Sequence, residues 1–261
     1  MYRIIYWNNK SQLEKIDTYN YWNNEKEEAK KEWDIRDNNF KKMEKYLRNS
    51  GLCNDLVKAL KHSGLINQTG IKGIECGGGV CWSASIIFKY LNIITMDFLE
   101  FSEYRITKIA PLVLEHYKIP EDKIKLVVGS FYEIKIPDQS MDFVLLSQAF
   151  HHAADVECLL REIHRILKKR GIVIIIGEHN LGKKYTWCCI KNLLLDILFG
   201  NYNSDRWMLY KQCGCIGLDK RLGDRYYPIW SYMKLFRKYK FQCKRIRTSK
   251  KEHFGFVLWK K

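Results

Sequence analysis

Apolar residues along the middle of the chain fall into two alternating rhythms. Short, nearly unbroken runs at Ile93–Leu99, Lys125–Val128, Met141–Leu146 and Gly171–Ile176 have the length and β-branched content of strands buried on both faces. Between them lie segments with one apolar face. Ser102 is placed to cap a helix carrying Tyr104, Ile106, Ile109 and Leu112 on one side, and Cys158–Leu167 is amphipathic. A further strand precedes these, in KGIECGGGVC (residues 72–81), where an apolar run ends in an acid and enters a glycine loop. A last helix is predicted at Ile229–Tyr239, followed by strands at Phe241–Arg247 and Phe254–Trp259. Strands alternating with helices predict an α/β fold with a doubly wound, largely parallel sheet, whose ligands sit beyond the carboxyl ends of the strands.

The unusual polar residues fall at those ends. Glu75 closes the first strand, Glu100 the second, Gly129 and Ser130 the third; His151 and His152 follow the fourth, Glu178 and His179 the fifth. Chance would scatter them over both sheet edges, so their gathering on one edge marks a site. Glycine in the loop Cys76, Gly77, Gly78, Gly79 can take backbone angles closed to other residues and lets a ligand lie against the main chain. The amides that open the following helix would face that ligand with the positive end of their dipole.

The span from about Gly70 to His179 resembles a class I S-adenosylmethionine-dependent methyltransferase. Glu75, Gly77 and Gly79 match that family's loop of acid, any, Gly, any, Gly, any, Gly, with Cys81 in place of the third glycine. The resemblance implies a Rossmann-like sheet of seven strands, the last one antiparallel, with S-adenosyl-L-methionine as cofactor. It implies that Glu100 binds the ribose hydroxyls, with Asp97 as competitor, and that Phe101 follows it into the site. It further implies that Ser130, after Gly129, stands where the family has an adenine-binding Asp, with Phe131 on the adenine face. DQSMDFVLLSQAFHH is similar to the family's fourth motif and brings Ser147 to the cofactor; REIHRILKKRG is similar to the helix and turn after it.

Two regions lie outside the resemblance. Residues 1–69 read as a helical N-terminal cap in which Tyr19, Tyr21 or Trp22 can close on the cofactor, while residues 70–261 form the catalytic domain. An insert at about 180–227 is expected to cover the acceptor. Its apolar stretch WCCIKNLLLDILFG is read as a helix packed inward as a lid, rather than one dipping into a lipid interface, because a single lysine gives it no basic face. GDRYYP supplies Asp224, Arg225, Tyr226 and Tyr227 as candidate acceptor contacts.

Charge and cysteine usage narrow the partners. The net charge of +16 is concentrated in residues 178–261, which hold 19 Lys or Arg against 6 acids. Such an excess suits an anionic acceptor, an acidic membrane surface or nucleic acid. No apolar run approaches the roughly 18 residues of a membrane-spanning helix, the first residues do not form a charged-then-apolar leader, and nine cysteines is an odd number; a reduced, cytoplasmic setting is expected. Cys188, Cys189, Cys213 and Cys215 lack the spacing of paired zinc knuckles and are expected to pack as small apolar groups, so no metal is expected.

A sulfonium methyl is already electrophilic, so the protein's task is to align a nucleophile with it and exclude water. A hydroxyl acceptor also needs a base, for which His151, His152 and His179 are the candidates. The reading is therefore methyl transfer to a small-molecule or glycan-precursor acceptor, anionic, with oxygen slightly favoured over nitrogen or carbon. The alternatives are an RNA methyltransferase and a non-catalytic binding protein of the same fold. A nucleic-acid base methyltransferase of the amino type would carry Asn or Asp, two prolines and an aromatic after strand four, and SQAFHH has none of these.

Overall fold

The computed structural model describes residues 2–15, 18–28, 30–33, 35 and 39–261, with the side chains of residues 27 and 28 left out. The chain begins with a strand, β1 (Arg3–Tyr6), then three one-turn helices, α1 (Lys10–Leu13), α2 (Tyr19–Trp22) and α3 (Glu25–Glu28). Two longer helices follow, α4 (Phe40–Ser50) and α5 (Leu52–Ser63). The alternating body runs β2 (Ile71–Cys76), α6 (Ala84–Tyr90), β3 (Ile93–Glu100), α7 (Ala110–His116), β4 (Ile124–Val128), β5 (Met141–Ser147), α8 (Val156–Ile166) and β6 (Leu167–His179). The insert holds α9 (Gly182–Leu198), α10 (Asp205–Cys213) and a small hairpin, β7 (Gly217–Asp219) with β8 (Asp224–Tyr226); α11 (Ile229–Lys238), β9 (Phe241–Ile246) and β10 (His253–Lys260) close the fold.

The sheet order is β1-β4-β3-β2-β5-β6-β10-β9, with β10 antiparallel to both its neighbours. All seven expected strands are present in the doubly wound arrangement. The eighth, β1, pairs parallel to β4 from Arg3 against Lys125 to Tyr6 against Val128.

Side chains alternate across the sheet with the two-residue period of a strand. Ile172, Ile174 and Ile176 enter a core with Leu56 of α5, Ile87 of α6 and Val113 of α7. Val173 and Ile175 point the other way, into a core with Leu159 of α8 and Phe236 of α11. Each such fully buried aliphatic or aromatic side chain contributes about 1.5–3 kcal/mol, which explains why the Ile172–Ile176 part of β6 is an unbroken apolar run.

Two expectations need correction. Residues 1–69 are not wholly a helical cap: β1 extends the sheet, and α5 packs on β6 and β10 as one of its covering helices. Part of the segment read as helical, at residues 29, 34 and 36–38, lies outside the described residues. Second, the helix expected to run on from Ser102 is interrupted: a wider π-type turn spans Arg105–Ile109 and the α-helix restarts at Ala110, with Pro111 in its first turn. Proline lacks the amide that a continuous helix would need there.

Candidate active site

The loop after β2 is built on two glycines with different reasons for being glycine. Gly77 (φ +78°) lies so close to Ala149 that a Cβ there would come within 2.6 Å of the alanine methyl, whereas one on Gly79 (φ +52°) would meet nothing within 4 Å. Gly79 therefore faces open space. Cys81, at the position of the third glycine, keeps the left-handed conformation (φ +61°) and is fully buried. The helix–strand approach survives the substitution at the cost of a backbone conformation that disfavours a Cβ by about 1–2 kcal/mol.

Glu100, at the tip of β3, is buried and fixed by main-chain donors: Gly79 N–H donates to its Oε2 and Ser102 N–H to its Oε1, both at 2.9 Å. Each oxygen keeps a further lone pair for a ligand hydroxyl. Asp97, the competitor, sits mid-strand with Lys125 3.6 Å away and does not line the cavity described next. Glu75 and Cys76 are buried beneath the loop and do not line it either. Ser83 Oγ donates to Glu75, and burial pushes the Glu75 carboxyl up to about 8, so it supports the loop from behind.

A cavity of about 230 Å³ opens over this loop, bounded by Gly77, Gly78, Gly79, Glu100, Phe101, Phe131, Ser147, His151, His152 and His179. Ser147 Oγ is buried there without a hydrogen-bond partner among the described residues. Gly129 lies outside it, covered by Trp7 and Asn8. Ser130 is held by Asn8, whose Oδ1 accepts from its amide at 2.9 Å, and faces a second cavity of about 510 Å³. That larger space runs from Ser130, Phe131 and Tyr132 to Met208 and Leu209 of α10 and to Lys220 and Arg225 of the hairpin. Phe101, Phe131 and His152 border both cavities.

The three histidines come together where the cavities meet. His151 and His152 share a short turn after β5, and the His151 ring centroid lies 4.3 Å from those of His152 and His179. Glu178 Oε2 faces His151 Nδ1 at 3.2 Å and accepts from Tyr232 Oη at 3.1 Å. Asp224 reaches in from the insert, with Oδ2 3.2 Å from His179 Nε2 and Oδ1 3.0 Å from His152 Nδ1. Burial opposes protonation of His151, but Glu178 outweighs it and carries the ring above its ordinary value. Burial and the neighbouring His151 instead push His152 down to about 4, leaving a neutral imidazole. Burial alone would raise Asp224, yet His152 and His179 hold it far below the carboxylate range.

The likenesses to known proteins agree with this geometry. A methyltransferase-domain family model matches residues 75–175, from the loop acid to the end of the β6 apolar run. The chain carries a class I S-adenosylmethionine-dependent methyltransferase domain. Sterol 24-C-methyltransferases of Aspergillus fumigatus and Gibberella zeae are 33% identical over 108 residues and 34% identical over 105, each match covering 40% of this chain and 27% of the relative. The aligned part of the chain thus spans about a quarter of the length of these relatives. In fold, the methyltransferase domain resembles S-adenosylmethionine-dependent methyltransferases of Aquifex aeolicus (TM-score 0.54, 16% identity, covering 77% of this chain and 87% of that one) and, as a putative enzyme, Methanococcus maripaludis (0.55, 20%, 88% and 95%).

S-adenosylmethionine is the cofactor of the methyltransferase domain. The residues present fit it, with an open glycine face at Gly79 beside a buried carboxylate that has lone pairs to offer. Sequence reasoning missed Tyr46, Gln148 and Trp33, which line the smaller cavity from α4, the β5 end and the N-terminal segment, and Tyr132, which lines the larger one. Trp22, anticipated as a closing residue, lines the smaller cavity, with its ring centroid 5.2 Å from that of His152. Asp224 stood out in GDRYYP, but nothing in its position along the chain announces that it pairs with His179, 45 residues before it, or with the still more distant His152.

Proposed function

We propose that the domain transfers the methyl group of S-adenosylmethionine to a small molecule with an apolar body and an anionic group. One observation carries the reading: the two cavities share Phe101, Phe131 and His152, so a molecule in the larger one can present an atom to a methyl group held in the smaller. Glu100 would hold the ribose hydroxyls, and Phe131 would lie against the adenine. When bound, the cofactor supplies an electrophilic methyl. The chain's contribution is alignment and exclusion of water, which together can be worth about 7–11 kcal/mol.

Features of the larger cavity support the acceptor's character. Phe131, Tyr132, Met208, Leu209 and Leu218 supply an apolar wall. Arg225 borders it with a buried Nε that has no hydrogen-bond partner among the described residues, a cost that an anionic ligand group would remove. Relatives that act on sterols support a small molecule over RNA.

The expected inward lid is corrected by α9, which buries only Leu193 and Asp196. Trp187, Leu198 and Phe199 are 66%, 77% and 82% exposed, because α10 and the β7–β8 hairpin, rather than α9, cover the cavity. We read this outward apolar face, with Lys183, Lys184 and Lys191 on the same helix, as the contact through which the acceptor is collected from an anionic lipid surface. No helix among the described residues is long and apolar enough to cross a membrane.

The test is a labelled-cofactor screen of separated lipid, metabolite and RNA fractions. Label in an acidic, solvent-extractable product is the expected result. Label confined to RNA would overturn the acceptor reading, and absence of calorimetric binding of S-adenosylhomocysteine would overturn the cofactor reading.

A further inference from the structure

We propose that His151, His152 and Asp224 form a binding site for one first-row divalent transition-metal ion, at the junction of the two cavities. Each of the three offers a donor atom, and these atoms lie within 4.8 Å of one another. His152 Nδ1 and Asp224 Oδ1 are the telling pair. They are buried and make an ion-pair contact 3.0 Å long at the junction of the cavities. A cation between them would be shared by an imidazole nitrogen and a carboxylate oxygen. With metal–ligand bonds of about 2.0–2.2 Å, neighbouring ligands at right angles lie about 3.0 Å apart and opposite ones about 4.2 Å. The first figure is the observed separation, and the outer limit of 4.8 Å needs only modest closing.

The surroundings are those of a metal site as well. Glu178 Oε2 faces His151 Nδ1 at 3.2 Å, which fixes the ring and leaves Nε2 as its free donor. His179 Nε2 faces Asp224 Oδ2 at 3.2 Å, which holds the carboxylate with Oδ1 toward His152. Outer partners of this kind orient ligands and set the histidine tautomer. Two imidazoles and one carboxylate suit the manganese-to-zinc series, whereas magnesium and calcium prefer all-oxygen sets. All three ligands border the cofactor cavity and His152 also borders the larger one, so the ion would keep coordination positions open toward the acceptor.

The chemistry follows from the proposed function, on which this role of the ion rests. An acceptor hydroxyl on the ion loses its proton to solvent more readily, because the metal stabilises the oxyanion. The oxygen lone pair then forms the bond to the methyl carbon, the sulfur–methyl bond breaks with its electrons remaining on sulfur, and the products are the methyl ether, S-adenosylhomocysteine and one proton. This arrangement uses the histidines as ligands rather than as a base.

The experiment is metal analysis of the purified chain, followed by chelation and calorimetric titration with Zn²⁺, Mn²⁺ and Mg²⁺. We expect one Zn²⁺ or Mn²⁺ per chain, little heat from Mg²⁺, and affinity reduced at least tenfold in His152→Ala and in Asp224→Asn, with melting curves confirming that both variants fold. A Co²⁺ spectrum lacking a thiolate charge-transfer band is expected, because the ligands carry no sulfur. Absence of both retained metal and titration heat overturns the proposal. So does binding that survives in both variants but is lost in Cys213→Ser/Cys215→Ser. Binding of S-adenosylhomocysteine to the chelated protein is measured alongside, so a failure of the metal site is separable from a failure of the cofactor site.

Discussion

Replacing Gly77 and Gly79 one at a time by alanine separates two costs that the glycine loop combines. Both residues have positive φ, so each alanine incurs the left-handed penalty of about 1–2 kcal/mol. Each also recovers about 0.4–1 kcal/mol by stiffening the unfolded chain. For Gly79→Ala nothing else changes, since the new methyl meets no atom within 4 Å, and a net loss of about 1 kcal/mol is expected. For Gly77→Ala the methyl falls 2.6 Å from the Ala149 Cβ, and overpacking of this kind adds about 1–3 kcal/mol. The expected loss is therefore about 2–4 kcal/mol, with the loop displaced. Urea denaturation of the two variants, read by far-ultraviolet circular dichroism, measures the difference. Ala149→Gly in the Gly77→Ala background should recover the steric share and leave the φ share in place. Cofactor affinity reports the converse, because the Gly79 methyl projects into the cavity and should weaken S-adenosylhomocysteine binding without unfolding anything. Equal stability losses in the two single variants, or no recovery on adding Ala149→Gly, would refute the assignment of separate roles.

Other expectations follow from the buried acids and the exposed helix. Glu75 has a folded pKa of about 8 against an ordinary value near 4.5, so the folded state binds the extra proton and its contribution is complete below pH 4.5. That contribution is lost as pH rises from there through 8, at up to about 1.4 kcal/mol per unit; Glu75→Gln should flatten this decline in denaturation curves taken at pH 5, 6.5 and 8, and an unchanged slope would count against a protonated Glu75. Glu100→Gln removes a charge-assisted hydrogen bond and is expected to weaken S-adenosylhomocysteine binding at least tenfold, by about 1.5–3 kcal/mol, while Asp97→Asn leaves it within twofold; calorimetry showing the reverse order would transfer the ribose role to Asp97. Trp187→Ser with Phe199→Ser should lower partition onto anionic phospholipid vesicles by on the order of tenfold to a hundredfold, with no change on the zwitterionic control; retained partition in a flotation assay would remove α9 as the contact.

The sheet was legible because burial on both faces forces strands such as β6 to be nearly continuous in apolar residues, and because the loop between Glu75 and Cys81 needs residues that tolerate φ above zero. Glu100 could be picked out because it ends a strand beside that loop. The role of Glu75 could not: an acid closing a strand looks the same whether it meets ligand or, as here, turns beneath the loop toward Ser83. α9 misled for a related reason. A helix with an apolar face has to hide it against something, and the sequence does not say whether that is its own protein or another phase. The partnership of Asp224 with His152 and His179 lay beyond reach, since it depends on how far the hairpin folds back over the sheet and not on any local pattern.

The pairing of β1 with β4 has a consequence for the order in which the molecule is completed. Asn8 steadies the backbone of Ser130 from 122 residues away, so the rim of the larger cavity joins one part of the chain to another made much later. While a ribosome is still short of residue 124, β1 has no strand to dock on, and that rim waits for a long loop to close. Maturation of the cleft is in this sense a late step of biosynthesis, set by topology rather than by the chemistry the cleft performs.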